Sequence, residues 1–476
     1  MGSGAPVAPL PDRRRTGRLG VWVAVLILAN VLADVAVGSP MMVTPQLLAH
    51  FDSDHAAWLN ASAMLAGAIW SPLLAQSSDT FGKRRTLIIT LLLSGVGALI
   101  CLVALDIWMF LAGRFLQGAA FAAVFITVAL VRQICTPRVS VAVVGLVTSG
   151  SSVAGIVEPF VMTPVIDVYG YRSVFAVAAL LAAVAAISVR CVIPEAPLRG
   201  AGRIDIGGAL LLGGGLAAVL GYVSLGRDLG WLSAGMLALL SVGAAALAGW
   251  AVLAVRTDEP LVDLRTLSRP LLLCLLALVL AAGSFRSMLQ LTGIVAQVPP
   301  SLGLGYGLGG GESVAVLLAA PNLGIVIGGV CAGWLAGRLG PAPPLLGGIG
   351  VGTAATAAML SGVSLLAVAV AAGLLLGVAA GAIGTSGYNL AIDLAPPERQ
   401  GTAAGLVSVV LALGSVVVTV GGGEVLRAAA VPGSAGLDVP PSTTAGVQAY
   451  ILIAAALFAL AALPAITLAR KAVGPR

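Results

Sequence analysis

The chain has 476 residues, 59% of them hydrophobic and 9% charged, and a mean hydropathy of +1.07. That balance excludes a soluble globular protein, and the apolar runs take up so much of the length that no soluble domain with its own core is left. A net charge of +6 and an isoelectric point near 9.4 would suit a nucleic-acid binder, but the basic residues are scattered over short loops between apolar runs, which excludes that class as well.

In chain order, the N-terminal stretch to about residue 19 carries Arg13, Arg14, Arg15 and Arg18 ahead of an apolar run much longer than the core of a signal peptide. It reads as a cytoplasmic tail before an uncleaved first span. Runs of about 20 apolar residues broken by Pro, Gly and charge then predict fourteen transmembrane helices. They begin near residues 20, 58, 86, 107, 139, 173, 207, 232, 270, 313, 342, 365, 400 and 446. If the loops alternate between the two sides, Lys and Arg collect almost entirely on one side, with only Arg172, Arg227 and Arg427 on the other. An even count with both termini in the cytoplasm satisfies that asymmetry. His50 and His55 fall in the first outer loop and read as plain loop residues, and the scattered cysteines, with no Cys-x-x-Cys pair, read as packing residues.

Four charges remain inside predicted spans: Asp34 in the first, Arg114 in the fourth, Glu158 in the fifth and Arg286 in the ninth. A charge at the bilayer centre costs about 2.5 to 3.5 kcal/mol on insertion scales, so these residues are expected to face a protein interior. Counting about 1.5 Å per residue from the helix ends puts Arg114 and Glu158 at one level. Because consecutive helices are usually neighbours, the two are expected to pair. Pro40, Pro45, Pro72, Pro159, Pro164 and Pro321 lie in or near span ends, where a missing hydrogen bond lets a helix bend. The polar run "GTSGYNLAID" in the twelfth span supplies Thr385, Ser386, Tyr388 and Asn389 as candidate substrate-cavity residues. The glycine runs follow no strand, and no Gly-x4-Gly-Lys-Ser/Thr sequence exists, so no ATP site, metal site or other cofactor is expected.

Two loops share one template. Ala75, Ser78, Asp79 and Gly82 after the second span match Gly333, Ala336, Gly337 and Gly340 after the tenth, which suggests two related six-helix halves. With these motifs the chain resembles the major facilitator superfamily, specifically its fourteen-helix drug:proton antiporter branch, over nearly its whole length. The loop Asp79-Thr80-Phe81-Gly82-Lys83-Arg84-Arg85 is similar to the family's first cytoplasmic signature, with Ala75 in place of its first Gly and Thr80 in place of its usual Arg. Arg114, Gln117 and Gly118 match its Arg-x-x-Gln-Gly motif, and Asp34, followed by Trp58, resembles its helix 1 aspartate motif and the Trp that opens its second helix. The segments "RIDIGGALLLGGGLAAVLG" and "DEPLVDLRTLSRP" resemble those flanking its two extra central helices. In the antiporter motif of the fifth helix, Gly145 and Pro159 stand in register, while Ala154, Glu158, Met162 and Thr163 depart from the family's form.

The resemblance implies an all-α membrane protein with the major facilitator fold, two pseudo-symmetric six-helix bundles plus two extra central helices. The expected layout is a cytoplasmic tail (1–19), an N-terminal bundle (20–192), a linker with the extra helices (193–269), a C-terminal bundle (270–469) and a short tail (470–476). It implies proton-coupled export of an amphipathic small molecule by alternating access, with Asp34 and Arg114 in proton coupling and a helix 5 kink at Gly145 and Pro159; Glu158, as a buried acid, is expected in the same coupling, either acid binding and releasing the proton. Gln117 and Arg286 join the polar residues of the twelfth span as expected cavity residues, Arg286 facing Asp34 in a second, looser pair. Asp79, Gly82, Lys83, Arg84 and Arg85 are expected to gate the cytoplasmic side, Asp79 latching the halves and the basic trio anchoring at the anionic leaflet. The expected partners are protons, a small-molecule substrate and the lipid bilayer, and the expected form is a monomer in a bacterial inner membrane. The departure at the fifth helix keeps an inward substrate:proton symporter open as an alternative. A multispanning enzyme or receptor is the alternative of another class, although no cluster of catalytic residues is visible at either membrane face.

Overall fold

A computed structural model describes residues 13–51, 56–195, 205–257, 260, 268–297, 305–306, 312–429 and 443–473. Among the described residues the regular structure is all helical: α1 (Arg13–Met42), α2 (Thr44–Phe51), α3 (Ala56–Phe81), α4 (Lys83–Val103), α5 (Ile107–Gln117), α6 (Ala122–Ile134), α7 (Pro137–Tyr169) and α8 (Arg172–Val192). Then come α9 (Ile206–Leu229), α10 (Ala234–Arg256), α11 (Arg269–Gln297), α12 (Glu312–Leu339), α13 (Ala342–Gly362), α14 (Leu366–Asp393), α15 (Gln400–Ala428) and α16 (Thr444–Val473). Thirteen segments of the described residues are long and apolar enough to cross a membrane, α5 and α6 forming one of them. Helix α3, 26 residues long, completes fourteen spans at the starts the apolar runs predict.

Two features depart from those expectations. The first outer loop contains a short helix, α2, so His50 is helical and meets the Phe51 ring edge-on and the Tyr171 ring at a tilt; His55 lies outside the described residues. The fourth span is broken by a 3-10 turn, Gly118–Phe121, directly after Gln117. A Cβ at Gly118 would sit 2.6 Å from the Ala63 carbonyl oxygen, so the turn is held hard against α3.

The repeat template has a structural counterpart. Gly82 and Gly340, its last positions, both take positive φ (101° and 83°) where one helix ends and the next begins. Only glycine adopts that backbone without strain, so the same tight reversal closes α3 onto α4 and α12 onto α13.

The halves meet along two seams, α7 against α12 and α3 against α15. Small residues permit the first: a Cβ at Gly145 would lie 2.3 Å from the Gly329 carbonyl oxygen, and one at Gly333 would lie 3.2 Å from Ala142 backbone. Gly145 therefore works as a point of close approach between the halves. The helix it belongs to runs unbroken through Pro159 to Tyr169. The extra helix α9 covers the second seam, packing on both α3 and α15, and α10 packs on α9.

Candidate functional site

The face on which α1 begins and α16 ends is called the basic face below, since it also carries Arg84, Arg85, Arg132, Arg190, Arg256, Arg338 and Arg399. On it the halves are locked together. Asp79, at the end of α3, receives hydrogen bonds from the backbone N–H of Gly401 (2.9 Å) and of Thr402 (2.8 Å) and from the Thr402 hydroxyl (3.0 Å), all in the first turn of α15. The first turn of a helix offers unpaired N–H groups and a positive dipole end, which suit a carboxylate. Lys83 completes the cluster at 2.8 Å from Asp79 and is fully buried. This corrects the leaflet-anchoring expectation for Lys83: its ammonium is consumed by Asp79, because glycine at 82 turns α4 back so that its first residue meets the carboxylate one turn earlier. Arg85 is exposed and Arg84 half-buried.

The symmetric position in the second loop is Gly337, which has no side chain to dock, and a different lock serves the other seam. Arg132 of α6 forms an ion pair with Asp393 of α14, Gln133 donates to the Pro397 carbonyl oxygen (3.3 Å) and Asn389 donates to the Val141 carbonyl oxygen (3.4 Å). One step further from the basic face, the Thr148 and Thr385 hydroxyls are bonded at 3.2 Å. Sequence reasoning missed Arg132 and Asp393 as a pair because each reads as an ordinary helix-end charge; it also missed Gly401 and Thr402, whose only signal is their place at a helix start.

About one turn beyond that seal lies a group of polar side chains between the halves. The Ser151 hydroxyl of α7 donates to the Asp34 carboxylate, and Arg286 of α11, from the opposite half, is in electrostatic contact with Asp34. Asp34 and Arg286 are both exposed although each is surrounded by protein, so they line a space between the bundles. α1 packs on α7 and α8 while α11 packs on α14, α15 and α16, which leaves their inner faces looking at each other across that space. Glu158, two turns beyond Ser151 on α7, accepts a hydrogen bond from Ser39 of α1 and also feels the Asp34 charge. Ser39 immediately precedes Pro40, one of the prolines inside the helices.

Arg114 is not Glu158's partner, contrary to the expectation from depth. It is completely buried, donating to the Ala36 carbonyl oxygen (2.6 Å) and to Gln117 Oε1 (2.8 Å). The reason is the broken fourth span. Its inner part, α6, packs on α7, but its outer part, α5, packs on α3 and α4, so Arg114 points at α1 instead. Sequence neighbours share a level here without sharing an interface.

The expected cavity residues divide in the same way. Arg286 lines the space; Gln117 is buried with Arg114. Thr385, Ser386 and Asn389 are fully buried, Thr385 and Asn389 bonding within the sealed seam against α7. In this conformation Thr385 and Asn389 close the path rather than line an open cavity, because they sit on the side of α14 that packs against the other half. Tyr388 points to the other seam, where its hydroxyl meets Ser408 at 2.7 Å and borders a separate, largely apolar cavity of about 230 Å3 walled by α3, α9, α14 and α15.

Two helical bundles thus meet at a sealed face, with ionisable groups of both halves in a space between them. A family model described as Major Facilitator Superfamily matches residues 26–419, and the chain belongs to that superfamily. The multidrug resistance protein Stp of Mycobacterium tuberculosis is 26% identical over 367 residues; the match covers 76% of this chain and 66% of Stp, so the chain spans just under two thirds of that relative's length. A probable actinorhodin transporter of Streptomyces coelicolor is 25% identical over 440 residues, covering 87% of this chain and 73% of the relative. A multidrug resistance protein B homolog of M. tuberculosis is 30% identical over 356 residues, covering 71% and 62%. Among solved structures, the human organic anion transporter MFSD10 superposes with a TM-score of 0.64 at 18% identity, covering 96% of this chain and all of that one. The Escherichia coli fucose:proton symporter FucP gives 0.62 at 14%, covering 96% and 98%. These two share the fold.

Proposed function

We propose that the protein is a proton-coupled exporter of an amphipathic small molecule, working by alternating access without ATP, as a monomer in a bacterial inner membrane with its basic face in the cytoplasm. The observation that carries this reading is the Asp34 carboxylate, held by Ser151 in its own half and facing the Arg286 guanidinium of the other half. A nearby guanidinium favours an ionised carboxyl group, and a low-dielectric site without one favours the neutral form. Rocking of the bundles that draws α11 away from α1 therefore exchanges a cation beside Asp34 for a proton on it. Glu158, in electrostatic contact with Asp34, is the second acid of the same relay, and Arg114 holds α1 in place around it through the Ala36 carbonyl oxygen. Outward transport of a drug or secondary metabolite is supported by the names of the relatives, and cytoplasmic placement of the basic face by the Lys and Arg asymmetry.

Everted membrane vesicles with an imposed pH gradient test the reading. Ethidium and a panel of amphipathic antibiotics should include a compound whose addition dissipates the gradient when the native chain is present, with the effect lost in Asp34→Asn and Glu158→Gln. Gradients that deepen on substrate addition would indicate a symporter, and coupling that survives in Asp34→Asn would remove the carboxylate from the mechanism.

A further inference from the structure

On the basic face, away from both seams, the ends of α1, α4 and α8 enclose a pocket of about 570 Å3 lined by Arg18, Trp22, Arg84, Cys191 and Ile193. Two guanidinium groups on different helices share it. Arg84 is positioned by its neighbours: its backbone N–H donates to Glu195 Oε1 (3.2 Å), and one terminal nitrogen donates to the Arg190 carbonyl oxygen. Its Nε is buried and has no hydrogen-bond partner. A guanidinium that is fixed at one terminal nitrogen and borders the pocket is held in place to meet an oxyanion with its planar fork. The acid beside Arg84, Glu195, is engaged by the α4 backbone.

The surroundings say where the oxyanion comes from. Trp22 sits beside the two arginines at the depth where a helix leaves the hydrocarbon, a position that suits an amphipathic indole. From the pocket a strip of exposed apolar side chains runs toward the middle of the membrane: Ile89, Leu92 and Val96 on α4 and Ile187, Val184 and Leu180 on α8. A ligand with a phosphate at one end and acyl chains at the other fits both parts, whereas a soluble anion uses only the first.

We propose that this pocket is a binding site for the headgroup phosphate of an anionic phospholipid, with Arg18 and Arg84 as its cationic contacts and the α4–α8 strip as the bed of its acyl chains. It differs from a diffuse attraction of surface arginines to the leaflet in being specific to these two side chains. The test is a native mass-spectrometric titration of the delipidated full-length protein in detergent with phosphatidylglycerol and, separately, phosphatidylcholine. The native chain should bind its first phosphatidylglycerol about tenfold more tightly than phosphatidylcholine, a preference on the scale of one or two basic side chains meeting an anionic lipid. The double variant R18Q/R84Q should lose that preference, and Arg85→Gln, an exposed neighbour outside the pocket, should keep it. Cys191→Trp, which fills the pocket while leaving both arginines, should lose it too and stands in if the double variant fails to fold. Preference retained in R18Q/R84Q or in Cys191→Trp, or lost equally in Arg85→Gln, would overturn the proposal. So would displacement of the lipid by millimolar inorganic phosphate, which would mark a soluble-anion site.

Discussion

Replacing Asp79 by Asn removes one charge from the lock on the basic face and leaves its shape. The carboxylate accepts three hydrogen bonds from Gly401 and Thr402 and pairs with a fully buried Lys83. Asparagine offers one acceptor oxygen in place of two, and its NH2 group opposes the α15 donors. Breaking one member of a buried ion pair costs about 3–5 kcal/mol, most of it the stranded partner's desolvation. Asp79 is itself only 6% exposed, so solvent screening gives little relief. The loss falls on the sealed conformation, because residue 79 and the start of α15 part when that face opens. The sealed state should therefore lose a factor of about 150 to 5,000 in population relative to the open one. Spin labels at Arg85 and Leu339, exposed positions on the basic face of the two halves, report this by electron–electron double resonance once Cys135, Cys191 and Cys331 are replaced by serine. Labelled protein that keeps Asp79 should show a single short distance, and the Asp79→Asn variant an added longer one. An unchanged distance distribution in folded D79N protein would refute the claim that this carboxylate holds the halves together.

Two further outcomes follow from particular contacts. Gly145→Ala places a methyl group 2.3 Å from the Gly329 carbonyl oxygen and should destabilise the protein by about 1–3 kcal/mol, whereas Gly155→Ala meets nothing closer than the Asn322 side chain at 3.5 Å and should be close to neutral. Equal shifts in the thermal unfolding midpoint of the two variants would contradict the tight α7–α12 seam. Burial pushes the thiol of Cys135, just past the end of α6, up to about 11. Only its thiolate reacts with iodoacetamide, so the alkylation rate should rise about 100-fold between pH 8 and pH 10 without levelling off; a plateau before pH 10 in the peptide-resolved rates would show that the thiol titrates in its ordinary range.

The sequence by itself determined the membrane setting, the number and starts of the spans, the internal repeat with its Gly82 and Gly340 turns, and the place of Asp79 in the loop between the second and third spans. Each is written locally, in the length of an apolar run or the spacing of a motif. Depth was legible too, since every residue of a helix advances by about 1.5 Å. Direction around the helix axis and the choice of neighbour were not, and these depend on how all fourteen spans pack at once. The 3-10 break after Gln117 separates α5 from α7 and turns Arg114 toward the Ala36 carbonyl oxygen, leaving Glu158 to Ser39. The packing of α14 against α7 and α15 sends Thr385 and Asn389 into one seam and Tyr388 into the other. Asp34 and Arg286 lie some 250 residues apart on helices of opposite halves, and only the arrangement of the two bundles puts their charges across one space.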